Sequence, residues 1–138
     1  MMRSLANANE KPRKEFELLR TLKGRPHIVE AYNFNDKDGK ITLPNRSLAF
    51  EPTCLAMELC RHGDMCDFVI NHGAIKDELL LKHLMVQVCS GIKDVHTIAE
   101  HAHLDVKLEN ILIGEDYLLK IIDFGFATPT SEYISKFQ

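Results

Sequence analysis

The sequence predicts an α+β fold, and three observations carry that reading. From Lys76 to Ile98, the residues Leu80, Leu84, Val88, Ile92 and Val95 step by three or four, with Leu81, Met85 and Cys89 widening the stripe. That is the period of a long amphipathic helix. Short apolar runs at Cys54–Cys60, Ile111–Ile113 and Leu118–Ile122 have the length of strands and are bounded by turn residues. The 138 residues suit one domain and are enough to bury a core.

Taken in order, the chain opens on a polar Asn/Lys-rich stretch whose Asn9 is suited to cap a helix, with Pro12 tolerated in its first turn. Between Glu15 and Lys23, Phe16, Leu19 and Leu22 recur at helical spacing, and Gly24 followed by Pro26 ends the helix. A strand-like stretch then runs to Phe34, and Asp36–Gly39 reads as a hairpin turn. The polar residues from there to Thr53, with Pro44 and Pro52, read as an insertion with a short strand expected at Ile41–Leu43.

Cys54–Cys60 is an apolar strand interrupted by Glu58. Gly63-Asp64 starts a helix with Met65, Phe68, Val69 and His72 near one face, closed by Gly73. The long helix at 76–98 is apolar over about half its circumference, which predicts a buried scaffold. Its His83 and His96 are expected as surface or satisfied core histidines rather than ligands. Beyond it, two strands are joined by a turn at Gly114-Glu115-Asp116.

The composition narrows the function classes. The chain is 45% hydrophobic and 27% charged, as soluble globular proteins are. A net charge of −3 argues against nucleic acid as the main partner. Cys54, Cys60, Cys66 and Cys89 form no CxxC pair and are expected as reduced, mostly buried thiols. Cys60, His62 and Cys66 lack the spacing of a zinc site. No apolar run reaches the length of a membrane span, and the N-terminus has no apolar core of the signal-peptide kind. These features predict a cytoplasmic or nuclear location.

The chemistry concentrates in His103–Asn110 (HLDVKLEN) and in Asp123-Phe124-Gly125, which begins eighteen residues after Asp105. Two acids, one base and one amide sit on two short loops flanking a strand pair. Such a set suits a metal-bound polyphosphate held beside a hydroxyl, with one carboxylate taking the hydroxyl proton and the other groups binding cations and phosphate oxygens.

Together, the HxDxKxxN pattern, the apolar triplet after it and the Asp-Phe-Gly strongly resemble the catalytic loop and metal-binding motif of eukaryotic protein kinases. The resemblance covers roughly Glu15 to Ala127, and only the stretch before Cys54 is out of pattern. It implies a partial protein-kinase-like fold in three parts. Residues 1–57 would be a small-lobe remnant, 58–63 the hinge, and 64–138 the incomplete large lobe. Glu15 then stands as the glutamate of the small lobe's regulatory helix. Leu19, Ala31, His103 and Phe124 form the apolar spine between the lobes.

In site terms, the resemblance implies that Asp105 orients the substrate hydroxyl and Lys107 contacts the transferring phosphate, as in serine/threonine kinases. Asn110 and Asp123 bind Mg²⁺. Met57 is the gatekeeper, Glu58-Leu59-Cys60 the hinge whose backbone meets adenine, and Leu112 and Met65 the floor of that pocket. The implied cofactors are ATP and Mg²⁺, and the implied partner is a protein with a serine or threonine hydroxyl. Thr130, Ser131, Tyr133 and Ser135 are activation-segment phosphosites by position.

Leu104 replaces the arginine that pairs with a phosphorylated activation segment, so that switch is expected to be absent. Leu108 replaces a proline. The seven glycines are never closer than ten apart, so no Gly-rich phosphate loop occurs, and no strand lysine precedes Glu15. A domain truncated at both ends is therefore expected, with apolar surface exposed on the long helix and catalytic-loop strands. Such a chain is an ATP-dependent kinase by family, feeble or inactive alone. The alternative is a pseudokinase-like interaction module. A third reading, a small helical adaptor in which the motifs are coincidence, requires no β-structure around residues 111–122.

Overall fold

The computed structural model describes residues 10–35, 42–43, 46–47 and 54–135, with backbone alone at 42–43, 46–47 and 133. The capping role expected of Asn9, the turn at Asp36–Gly39 and the prolines at 44 and 52 lie outside these residues.

Helix α1 spans Glu10–Thr21 and so begins earlier than the apolar period suggests. Glu10 and Lys14 pair at 2.7 Å across one turn, and an acid at the helix start meets the positive end of the helix dipole. The helix tightens at its end, where the Leu22 N–H reaches the Leu19 carbonyl at 3.1 Å, and Gly24 follows at φ 76°. Leu18 and Leu19 carry its buried face.

Ile28 and Val29 are buried, the Val29 N–H donates to the Ile121 carbonyl at 3.1 Å, and the Ile121 N–H donates to the His27 carbonyl at 3.0 Å. Strand β1 (Ala31–Asn35) follows. Within the insertion, β2 (Thr42–Leu43) pairs antiparallel with β3 (Arg46–Ser47). Strand β4 (Cys54–Met57) returns against β1, with an irregular register between Ala31 and Asn33.

Helix α2 (Met65–His72) is capped by the Asp64 carboxylate on the Asp67 N–H and closed by Gly73 at φ 80°. Helix α3 (Glu78–Thr97) is capped by Asp77 on the Leu80 N–H. Strands β5 (His101–Ala102) and β8 (Thr128–Pro129) pair, as do β6 (Ile111–Ile113) and β7 (Leu119–Ile121). A short α4 (Thr130–Ser135) follows. The strands at 111–113 and 119–121 remove the premise of the coincidental helical adaptor.

The core has two parts. Leu18, Leu19, Leu22, Ile28, Val29, Val95, Ile121 and Phe124 form one, with Ala31 packed against it. Met65, Ile111 and Leu119 form the other, flanked by Phe68, Leu84 and Val88.

Helix α3 corrects the sequence reading of its buried face. Its buried residues are Gln87, Gly91, Asp94 and Val95, whereas Leu80, Leu81, Met85 and Cys89 are exposed. The helix presents its narrowest side to β7 so that backbones can approach. A Cβ built on Gly91 would lie 2.7 Å from Ile121 Cδ1 and 2.9 Å from the His27 carbonyl oxygen. The buried polar residues are then matched. Gln87 Oε1 accepts the Leu119 N–H at 2.9 Å, and the two Asp94 carboxylate oxygens accept from Nε and Nη2 of Arg25 at 2.9 Å each. The apolar surface expected on this helix is present. The strands at 111–113 and 119–121, expected to expose apolar surface too, instead bury Ile111, Leu119 and Ile121, and the further exposed apolar residues fall at Leu104, Val106 and Leu108 in the loop before them.

The cysteines are all free, but burial is not their common state. Cys54 and Cys89 are exposed because they stand on the outward sides of β4 and α3, and Cys60 and Cys66 are half-buried. Met57 is likewise exposed, so it is no core methionine. His83 and His96 are exposed helix residues as expected.

Candidate active site

The site is built on two loops that the β5–β8 and β6–β7 ladders hold together. The first runs from His103 to Asn110, ending in a 3₁₀ turn at Leu108–Asn110. The second carries Asp123 away from β7. Backbone bonds join them, the Ile122 N–H donating to the Asn110 carbonyl at 3.0 Å. Leu104 and Asp123 take positive φ, 65° and 60°, conformations that cost a residue with a Cβ energy and that collect at functional sites.

His103 is the anchor. Its ring is buried at 2% exposure and meets Phe124 at 4.7 Å between centroids. Nε2 lies 3.0 Å from the Ile122 carbonyl, and Nδ1 accepts the Asp105 N–H at 3.2 Å. A ring that donates from Nε2 and accepts at Nδ1 is neutral, and burial pushes its pKa below the ordinary value. The spine expected from His103, Phe124, Leu19 and Ala31 is packed in this way, with Leu19 and Phe124 in one core cluster.

Asp105, Lys107 and Asn110 converge. Lys107 Nζ and Asn110 Nδ2 each donate to Asp105 Oδ2 at 2.9 Å, and Asn110 Nδ2 also reaches the Asp105 carbonyl at 2.9 Å. The Lys107 hydrogen bond chiefly holds the Asp105 carboxyl below its usual range, and Asp105 in turn raises Lys107. Asn110 is buried, which fixes the amide, whereas Lys107 is half in solvent. Asp123 is exposed, and its Oδ1 accepts the Gly125 N–H at 3.2 Å. Its charge reaches both His103 and Lys107.

Glu15 enters this site from α1. Its Oε1 accepts the Phe124 N–H at 3.0 Å, and burial raises its carboxyl pKa. The helical register singled out Glu15, but nothing local in the sequence indicates a backbone N–H as its partner.

The residues expected around adenine sit apart from that network. Met57 ends β4. The Glu58 N–H donates to the Glu30 carbonyl at 2.8 Å, and Cys60 is a half-buried thiol whose pKa burial pushes up. Leu112 is half-buried and bridged to Asp64, and Met65 packs into the second core cluster with Ile111 and Leu119.

Sequence reasoning missed Lys120. Its side chain is 10% exposed and its ammonium lies 3.1 Å from Glu58 Oε1, tying the β4 exit to β7. The signal was a lysine inside an otherwise apolar strand. The structure gives it a carboxylate, as a buried charge requires.

The donor set fits a hard cation carried on phosphate. With its amide nitrogen committed to Asp105, Asn110 has its oxygen left for a metal, and Asp123 supplies a carboxylate. Oxygen donors of this kind suit Mg²⁺, which keeps water and substrate phosphates in its shell. Among the described residues no group of three or more His, Cys, Asp or Glu side chains is placed to enclose a metal alone. No helix of the described residues is long and apolar enough to cross a membrane.

Comparison with known proteins agrees with this arrangement. The protein kinase domain family matches residues 2–136. The chain is 32% identical over 122 residues to CDPK-related kinase 4 of Arabidopsis thaliana, covering 86% of this chain and 18% of that protein. It is 33% identical over 115 residues to testis-specific serine/threonine-protein kinase 1 of Mus musculus, covering 83% and 27%. Against serine/threonine-protein kinase cds1 of Schizosaccharomyces pombe the identity is 32% over 120 residues, covering 87% and 23%. The chain thus spans under a third of the length of each of these relatives. With its paired acids, its amide and its Asp-Phe-Gly loop in this fold, the chain belongs to the protein kinase domain family.

Proposed function

We propose that the chain carries the phosphoryl-transfer half of a serine/threonine protein kinase. Residues 1–57 would belong to the small lobe, 58–63 to the hinge and 64–138 to the large lobe. The observation that supports this most directly is the convergence of Lys107 and Asn110 on one oxygen of Asp105. It leaves Oδ1 for a substrate serine or threonine hydroxyl and keeps the carboxylate ionised and fixed in orientation. Lys107, half in solvent, is able to leave Asp105 for a phosphate oxygen.

Asn110 and Asp123 would hold Mg²⁺, and the backbone around Glu58-Leu59-Cys60 would take the adenine edge, with Met57 and Leu112 beside it. When bound, Mg²⁺–ATP supplies the phosphoryl group and neutralises charge that builds in transfer. His103 and Glu15 act on the geometry, holding the Asp105 and Phe124 backbones in place.

Isothermal titration of the 138-residue chain with ATP tests this reading. Magnesium-dependent binding that Asp123→Asn abolishes is expected, and no binding at millimolar ATP would sink it. A second reading, an interaction module, is favoured by the exposed Leu79, Leu80, Leu81, Met85 and Val86 of α3. It predicts no nucleotide binding together with a stoichiometric protein complex that α3 surface substitutions abolish.

A further inference from the structure

Helix α3 is the longest helix among the described residues, 20 residues and so about 30 Å from end to end. Its core side is set by Gln87, Gly91, Asp94 and Val95. At 3.6 residues per turn, Glu78, Lys82, Met85, Val86, Cys89 and Lys93 fall on the opposite side, and all six are exposed. The middle of that face is apolar, with Val86 67% and Met85 51% exposed. Met85 also forms, with Leu81, one wall of an apolar groove of about 270 Å³ that Met65, Val69 and Leu108 help to line. A continuous apolar strip rimmed by charge is the mark of an association surface.

The charges on the face select its occupant. Glu78 stands at the start of the strip and Lys93 at its end. Glu78 Oε1 is joined to Lys82 at 2.6 Å, which leaves its other oxygen open, and Lys93 forms no ion pair among the described residues. When a second copy is laid against this face with the two α3 helices antiparallel and centred between Met85 and Val86, each Met85 meets a Val86. By the two-fold symmetry each Glu78 then meets a Lys93, once at either end. The parallel arrangement stacks Glu78 on Glu78, Lys82 on Lys82 and Lys93 on Lys93, so every charged contact is repulsive. Antiparallel helices also set the positive end of each dipole beside the negative end of the other. The order of charge along α3 is complementary to its own reverse.

We propose that the chain forms a two-fold homodimer through the outward face of α3, in an antiparallel register with Met85 against Val86 at the centre and Glu78 against Lys93 at both ends. In this register Lys82 lies opposite Cys89, where its methylene stem covers the thiol while its ammonium stays in water. The groove edge formed by Leu81 and Met85 is covered in the same contact. The inference does not depend on catalysis by this chain. It shares the exposed α3 face with the interaction reading and goes beyond it in naming the partner as a second copy.

Sedimentation equilibrium of the full chain across the micromolar range is expected to show a monomer–dimer equilibrium. Val86→Asp puts two like charges at the centre and should abolish the dimer. Lys93→Glu opposes Glu78 and should raise the dimer Kd about tenfold, and the swap of Glu78→Lys with Lys93→Glu should return it to within about threefold of the parent. These positions are exposed, and an unchanged circular dichroism spectrum checks that each variant is folded. A chain that stays monomeric overturns the proposal, including one that binds a different protein on this face, a result that would leave the interaction reading standing. A dimer that survives Val86→Asp overturns the face. A dimer that Lys93→Glu weakens and the swap fails to restore overturns the antiparallel register. None of these readouts involves turnover or nucleotide binding, so failure of the kinase reading would appear separately.

Discussion

Glu15 and Phe124 stand 109 residues apart and meet at 3.0 Å, the carboxylate Oε1 accepting the backbone N–H. A buried amide left without an acceptor costs about 1–3 kcal/mol. Glu15→Ala should therefore lower stability by about that amount in chemical denaturation, while Glu15→Gln, which keeps the acceptor, should stay near the parent. The pH response has a definite sign. Burial raises the folded pKa of Glu15 above 4.5, so ionisation costs more in the folded chain. Its contribution to stability is full below the unfolded value and falls as pH rises through the folded one, a decline that Glu15→Gln should flatten.

His103 behaves in the opposite sense. Burial lowers its folded pKa from 6.5, so the folded chain resists the proton that the unfolded chain accepts. Stability is full above 6.5 and is lost as pH falls from there through the folded value. Protonation also fills Nδ1, which then no longer accepts the Asp105 N–H. Denaturation midpoints followed from neutral to mildly acid pH should show this loss, and His103→Gln should remove the slope.

Gly91 lets α3 approach β7, and Gly91→Ala forces a methyl to within 2.7 Å of the Ile121 side chain and 2.9 Å of the His27 carbonyl. The side chain can turn but the carbonyl is backbone, so a loss of about 1–3 kcal/mol is expected in thermal unfolding. A change below about 0.5 kcal/mol would mean that α3 slides freely over β7.

Asp94 and Arg25 form a two-pronged pair that fastens the loop after α1 to α3. The Arg25 hydrogen bond chiefly lowers the Asp94 pKa below 3.8, so the stabilisation is present above that value and lost as pH falls through the folded pKa. Arg25 is 43% exposed, so the pair is screened, and Arg25→Ala should lower the denaturation midpoint only slightly. Acid titration of the Asp94→Asn variant by circular dichroism should lack that acid-side contribution.

If the chain transfers phosphate, Asp105→Asn should lower kcat by about 10²–10⁴-fold, the usual range for a lost general base. ATP affinity measured by titration should stay within about twofold, since the residues proposed to hold the metal are Asn110 and Asp123.

Much of the element order was legible. The short helix after Gly63, the long helix to Ile98 and the two strands flanking Gly114–Asp116 follow from period, caps and turns, which are local properties. The facing of α3 was not. A count of apolar residues favours Leu80, Leu84 and Val88, whereas the packed face is chosen by how near two backbones can come, and Gly91, Gln87 and Asp94 decide that. The grouping of Asp105, Lys107 and Asn110 was legible because its members lie within six residues, but the convergence of Lys107 and Asn110 on one oxygen of Asp105 was not. The Glu58–Lys120 and Glu15–Phe124 links depend on loops that bring distant segments together, and nothing local encodes them.

Among the described residues the ladders come in four separate pairs, and none has a third strand. Apart from one-residue bridges, every strand among the described residues is an edge, hydrogen-bonded on one side alone. A ladder of this kind can unzip without disturbing a neighbour, so the sheets cannot be what makes the fold cooperative. That task falls to α3 and the loop at residues 27–29, which grip β7 from two directions. The slowest-exchanging amides should accordingly be found in the second half of α3 and at Val29 and Ile121, while β1 and β4 exchange early.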